Sequence, residues 1–337
     1  MATYRAVLLK GKGGLDQLED AELPLTDPGP GEARIRVRAT GAGFTDVIMR
    51  TGYYPYRPKF PFAPGYEVVG VVDAVGAGVT ELTVGMRVAA LTVTGGAAEL
   101  LVRPADEFVP VPDGVDDAAA IALVLNYVTA WQMLHRSAAM KPGERALVTG
   151  ASGGVGTALL ELMQLHGVQA FGAASARSFG VVRSWGATPI EGRGAPLDAQ
   201  VRALVPDGVD AAFDGLGGKI TGECIRATRR GGIVVAYGFT AVSGANASNL
   251  GTLRGAAALY VGAFFARRRS TFYGITQIYR KDKAPFREDL PQLFALVAAG
   301  KLRPRIADVL PLFAVREAQR RLEAGGVEGK LVLAADA

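Results

Sequence analysis

The sequence predicts an α/β protein of two parts: a β-rich, partly open barrel and a doubly wound parallel sheet. Three observations predict it. Residues 1–120 carry many short apolar runs cut by glycine- and proline-rich turns, as in barrels of short strands. From about residue 116 onward, helical stretches alternate with strand-like ones, the rhythm of a parallel sheet covered by helices. One glycine-rich turn, Gly150-Ala151-Ser152-Gly153-Gly154-Val155-Gly156, falls between a strand-like and a helix-like segment.

The elements follow in order. Ala33-Arg34-Ile35-Arg36-Val37-Arg38 alternates apolar and charged residues, a strand with one wet face. Further strands are expected at 68–75, 87–93 and 100–103. Pro28-Gly29-Pro30-Gly31, Pro64-Gly65, Gly76-Ala77-Gly78, Gly95-Gly96 and Pro112-Asp113-Gly114 supply the turns. Residues 116–140 read as a helix with an acidic start, 145–149 as a strand, and 157–166 as a helix stopped by Gly167. Strands at 168–174, 209–214, 233–237 and 271–275 and a helix at 179–185 complete the alternation. A helix at 289–299 and a strand at 330–333 end the chain, and 243–249 is small and polar, a loop.

The 337 residues carry a formal net charge of +5, with 49% hydrophobic and 20% charged residues, the balance of an ordinary globular chain. Short arginine clusters at 229–230, 267–269 and 320–321 read as solvated surface, so no nucleic-acid partner is expected. The lone cysteine, Cys224, excludes an intrachain disulfide and a thiolate metal cluster and agrees with a reducing, cytoplasmic setting. Residues 1–10 show no signal-peptide pattern. The apolar run at 256–266 is shorter than the roughly 20 residues that span a bilayer. It reads as a buried or pocket-lining helix, and no membrane partner is expected.

The glycine turn carries the chemistry. A strand–glycine turn–helix unit suits a dinucleotide. Gly153 lets the backbone approach a diphosphate, Gly156 lets the helix pack on the strand, and the helix start favours the phosphate charge. Ser152, Gly153, Gly154, Val155 and Gly156 are therefore the candidate cradle; Ala151 stands where the usual pattern has its first glycine. No acidic residue occurs from 162 to 190 to hold a ribose diol, and the second strand runs into Ala174-Ser175-Ala176-Arg177. The hydroxyl of Ser175 and the guanidinium of Arg177 suit a 2′-phosphate, so the expected cofactor is NADPH.

Several stretches in this order resemble the medium-chain dehydrogenase/reductase superfamily, in particular its zinc-free quinone oxidoreductase branch with the crystallin-like and vesicle amine transport-like members. They are Gly43-Phe44-Thr45-Asp46, Gly52-Tyr53-Tyr54-Pro55, Pro64-Gly65-Tyr66-Glu67, Asn126-Tyr127-Val128-Thr129-Ala130, Ala151-Ser152-Gly153-Gly154-Val155-Gly156 and Gly329-Lys330-Leu331-Val332-Leu333. The resemblance implies a GroES-like catalytic domain at 1–120 and 281–337 and a Rossmann domain at 121–280. In the zinc alcohol dehydrogenases of the superfamily, a Cys stands where Gly43 is and a His where Tyr66 is. The structural zinc loop of four cysteines is missing as well, so no metal is expected. Many quinone oxidoreductases carry Asn at the position of Gly43, and a tyrosine near the adenosine phosphate falls near Gly192 here.

Without a Lewis acid, reduction of a conjugated acceptor is easier than reduction of a simple ketone, because a hydrogen-bond donor suffices for the oxygen. The expected reaction is NADPH-dependent reduction of a quinone or an α,β-unsaturated carbonyl. A tailoring enoyl reductase and a cofactor-binding protein with little turnover are the alternatives. Tyr54 is the first candidate proton donor, with Asp46 orienting the site and Tyr66 lining it; His135 and His166 fall away from the motifs. The resemblance further implies Thr129, Leu216, Gly238, Phe239, Phe272 and Lys330 on the cofactor side, and Cys224 as an inert helix residue. The strand at 271–275 would edge the sheet and pair with a second copy, giving a homodimer.

Overall fold

The computed structural model describes residues 2–54, 56, 58–238 and 249–336. The chain divides into two compact units, Met1–Val128 with Tyr279–Ala337, and Thr129–Ile278.

The first unit opens with a hairpin, β1 (Thr3–Leu9) against β2 (Leu18–Pro24), which the sequence reading missed. Then come β3 (Glu32–Ala42), α1 (Phe44–Arg50), β4 (Glu67–Val75), β5 (Arg87–Leu91), β6 (Leu100–Pro104), β7 (Val109–Pro110) and α2 (Asp117–Ala122). Burial alternates along β3 through Arg38, and from Ala39 to Ala42 every residue is buried. Asp116 caps α2 by accepting from the Ala119 N–H at 2.8 Å. The predicted helix at 116–140 is a mixed one. Two π-helical turns, Leu123–Tyr127 and Gln132–Ser137, flank α3 (Val128–Trp131). Asp117–Ser137 is long and apolar enough to cross a membrane, but most of it is buried, as in a core helix.

The second unit alternates β8 (Arg145–Thr149), α4 (Gly154–Leu165), β9 (Gln169–Ala174), α5 (Phe179–Ser184), β10 (Thr188–Glu191), α6 (Leu197–Leu204), β11 (Val209–Asp214), α7 (Lys219–Ala227), β12 (Thr228–Ala236), α8 (Asn249–Phe265) and β13 (Arg269–Phe272). Its six strands are parallel, in the order β10-β9-β8-β11-β12-β13, the doubly wound arrangement expected. The edge strand begins earlier than predicted. It ends at Phe272 because the Gly274 carbonyl accepts from the Gln277 and Ile278 N–H groups and turns the chain into α9 (Ile275–Lys281).

The apolar run at 256–266, expected to be a buried or pocket-lining helix, is buried only in part. Leu259 and Ala263 pack into the core of the unit, but Phe264 and Phe265 are 76% and 79% exposed. The loop predicted at 243–249 falls outside the described residues up to its last position, which starts α8.

The chain returns to the first unit through α10 (Ala284–Ala298), β14 (Ile306–Pro311), α11 (Val315–Ala324) and β15 (Lys330–Ala334). Its main sheet runs β14-β15-β3-β4-β5-β7, with β6 also on β3. β15 lies antiparallel to β3, which brings the C-terminal strand beside Gly41. Arg50, 2% exposed, ends α1 and donates to Gln319 and Glu323 of α11 at 2.7 and 2.5 Å and to the Gly13 carbonyl at 2.7 Å. This buried guanidinium fixes the helix that carries Asp46.

Candidate functional site

In the second unit the crossovers leave β8 and β11 in opposite directions, so the strand order reverses between them; such a switch point is where doubly wound folds bind ligands. The ends of both strands are tied together. Thr149 Oγ1 donates to Asp214 at 3.2 Å and accepts from the Gly215 N–H at 3.0 Å. Asp214, fully buried, also accepts from Leu216 N, Gly217 N and Thr221 Oγ1 at 3.0, 3.0 and 2.6 Å. Sequence reading missed this carboxylate. An Asp closing a strand ahead of Gly215-Leu216-Gly217-Gly218 was the available signal, since such a carboxylate can gather the free N–H groups of a tight turn.

The glycine turn sits at this point. Gly150 takes φ +63°, in the left-handed region. A Cβ on Gly156 would stand 2.7 Å from Ala151 Cα, so only glycine lets α4 lie this close to the turn. Gly153 is the N-cap of α4, and among the described residues no side chain caps the helix. Residues 152–155 are half-buried, whereas those from Gly156 to Met163 are buried. The uncapped helix start therefore remains accessible, which fits an anionic ligand on its N–H groups.

Several other candidates lie at the ends of this sheet's strands. Ser175 follows β9, the neighbour of β8, and starts the 3-10 turn Ala176–Ser178. Arg177 on that turn is exposed, and no ion pair involves it among the described residues. Gly192 donates to the Ala174 carbonyl at 2.8 Å, which places it beside the end of β9. Leu216 Cδ2 lies 3.7 Å from where a Cβ on Gly150 would be, and a Cβ on Gly238 would stand 2.9 Å from the carbonyl carbon of Gly215. Phe272 pairs with Ala236 at the end of β13, and its N–H donates to Tyr260 Oη at 3.3 Å. On α3, Thr129 Oγ1 is buried and has no hydrogen-bond partner among the described residues, an orphaned donor suited to a polar ligand. Phe239 lies outside the described residues.

His135 and His166 are not at the strand ends. Both rings pack with Trp131, at 4.3 and 5.5 Å, and burial lowers the His166 pKa. Cys224 is buried, and burial pushes its thiol well above the ordinary range, which leaves it unreactive.

The first unit gathers the other candidates. Asp46 is buried, and both its oxygens accept backbone bonds, from Gly43 N at 2.9 Å and Gly65 N at 3.2 Å. Its carboxylate thus holds the local turn. Burial raises its pKa against the pull of those bonds and of Lys330. Glu67 is fully buried and ion-paired with Lys330, itself only 3% exposed. Burial also raises the Glu67 pKa, with the Lys330 ammonium opposing. Lys330, read from the sequence as a cofactor residue, has its ammonium engaged by this carboxylate. Gly41 makes room for the pair: a Cβ there would overlap both the Glu67 carboxylate and the end of Lys330.

Tyr66 is 1% exposed, and its hydroxyl lies 2.7 Å from that of Tyr54, the rings meeting edge to face at 6.3 Å. Where the zinc enzymes place their ligands, this chain thus has a bare glycine at 43 and a phenol bonded to another phenol at 66. Among the described residues, no three His, Cys, Asp or Glu side chains come together. Positions 43 and 66 supply none of the Cys, His or carboxylate donors that zinc takes.

A β-rich sheet domain together with a parallel sheet whose strand order reverses between β8 and β11 is the arrangement of a two-domain dinucleotide-binding protein. Comparison with known proteins agrees. Residues 29–113 match the alcohol dehydrogenase GroES-like domain model and residues 185–333 the zinc-binding dehydrogenase model. The rat synaptic vesicle membrane protein VAT-1 homolog is 32% identical over 98% of this chain and 83% of its own length. Among solved structures, the human VAT-1 homolog-like protein superposes with a TM-score of 0.85 at 27% identity, covering 100% of this chain and 99% of that one. The quinone oxidoreductase of Pseudomonas syringae gives 0.86 at 28%, covering 98% and 99%. A mycobacterial protein solved with NADPH gives 0.86 at 27%, covering 99% and 100%. The chain belongs to the medium-chain dehydrogenase/reductase superfamily, in its quinone oxidoreductase-like branch.

Proposed function

We propose that the protein reduces a quinone or an α,β-unsaturated carbonyl with NADPH, without a metal. The observation that carries this reading is the uncapped, glycine-lined start of α4 at the sheet's switch point, in a chain whose 43 and 66 positions offer no metal ligand. The mycobacterial relative complexed with NADPH supports the choice of cofactor, as do Ser175 and the exposed Arg177 after β9, where a 2′-phosphate calls for a cation. Ser152 to Gly156 would hold the diphosphate, Thr129 Oγ1 would gain its missing partner, and Leu216 and Gly238 would line the turn.

Bound there, a reduced nicotinamide supplies the hydride. The chain supplies position and a proton. With no Lewis acid, charge arriving on the acceptor's oxygen needs a donor, and we assign that role to Tyr54, with Asp46 shaping the turn behind it. A second copy pairing along β13 would make a homodimer, and the single buried cysteine is consistent with a cytoplasmic setting.

A panel of quinones and enones, followed by the loss of reduced-nicotinamide absorbance, tests the reading. Turnover of at least one class with NADPH is expected, at unchanged rate after exhaustive chelation. No turnover with any acceptor, despite tight NADPH binding, would point instead to a cofactor-binding protein.

A further inference from the structure

We infer that Tyr66 is a positioning residue that sets the acidity of Tyr54; this rests on the reading of Tyr54 as proton donor. Tyr66 occupies the position at which the zinc enzymes carry a histidine ligand, and here its side chain faces another phenol. The structure makes it a fixed point. Its carbonyl accepts from Thr92 N and Val93 N at 3.0 and 2.8 Å. Val93 is held at φ +66°, unusual for a β-branched residue. Gly65 before it takes φ +99°, and a Cβ there would lie 2.7 Å from Gly96 Cα. Tyr66 is thus clamped at its backbone and buried at its ring, whereas Tyr54 is half-buried.

The two hydroxyls, 2.7 Å apart, share one hydrogen bond, so one phenol donates and the other accepts. Reduction of a conjugated carbonyl takes a hydride at the β-carbon, and the displaced π pair moves to oxygen. The Tyr54 O–H bond then breaks as a new O–H bond forms on the substrate, and water later returns a proton to Tyr54. While Tyr54 is ionised, only Tyr66 can be the donor of the pair. That bond becomes charge-assisted, which favours the phenolate. Tyr66 therefore stabilises the charge left behind by proton transfer and touches no reacting atom.

The test uses the full chain labelled with 13Cζ-tyrosine. The Tyr54 signal is identified by its loss in Tyr54→Phe and titrated with pH in wild type and in Tyr66→Phe. The expected result is a rise in the Tyr54 pKa of about one unit when the Tyr66 hydroxyl is removed. With an acceptor found by the panel, kcat should fall about tenfold with an unchanged KM for NADPH, and the alkaline limb of the kcat profile should move up. Tyr54→Phe combined with Tyr66→Phe should be no slower than Tyr54→Phe alone. An unmoved Tyr54 titration in a folded Tyr66→Phe protein would overturn the inference. If that variant fails to fold, the wild type decides. Coupled phenols titrate apart, Tyr54 low and Tyr66 high; coincident, ordinary titrations would overturn it. The NMR readout needs no turnover, so absence of activity would defeat the reductase reading alone.

Discussion

At the scale of single residues, the first unit shows how a buried charge is tolerated. Glu67 and Lys330 come from β4 and β15 on either side of β3, and Gly41 between them leaves the gap in which they meet. Breaking a buried pair is costlier than never having built it, because the remaining charge keeps its desolvation penalty. Gly41→Ala pushes a methyl group into that gap. We expect it to destabilise the fold by about 3 kcal/mol, read as a lower urea midpoint at unchanged m-value. A midpoint like that of wild type would mean the pair does not depend on the glycine. Glu67 stood in a motif quoted from the sequence, yet its partner was legible only from the register of β15 on β3. Lys330 accordingly read as a cofactor-side lysine.

At the scale of elements, the strand ends organise the second unit. β8 and β11 are joined through Thr149 and Asp214, and the glycine turn follows β8 directly. Each strand of this sheet was legible where apolar runs were bounded by turn residues. β10 was not, because Thr188-Pro189-Ile190-Glu191 is too short and polar to show a period. The hairpin of β1 and β2 escaped for a related reason: its second strand, Leu18–Pro24, has only one buried residue. The opposite edge, β13, bears on assembly. Tyr273 N donates inward to Ala236 O, so by alternation the Ser270 N–H points away from β12. A proline there removes an outward donor and leaves the ladder to β12 intact. If a second copy pairs along this edge, Ser270→Pro should convert a dimer into a folded monomer in sedimentation analysis. A dimer that survives the substitution would place the subunit contact elsewhere; the exposed Phe264 and Phe265 on α8 would be the next surface to vary.

At the scale of the whole molecule, the order of parts was more legible than the chemistry at their ends. Periodicity and turn residues depend on local sequence, so the barrel-then-alternation layout could be read directly. The roles of Asp46, Tyr66 and Lys330 depend on partners distant in sequence or set by backbone conformation, and no spacing rule reveals them. The cofactor inference lies between: the glycines and the missing acidic residue were visible, while the uncapped start of α4 and the orphaned Thr129 hydroxyl required the fold. Everything proposed about reduction follows from that cradle holding a nicotinamide dinucleotide with a 2′-phosphate. Calorimetric titration of NADPH and NADH into wild type and Arg177→Glu tests this most directly. The account predicts that wild type binds NADPH at least tenfold more tightly than NADH, about 1.4 kcal/mol, and that Arg177→Glu removes most of this preference. Equal affinity of wild type for the two, or no binding of either, would contradict it.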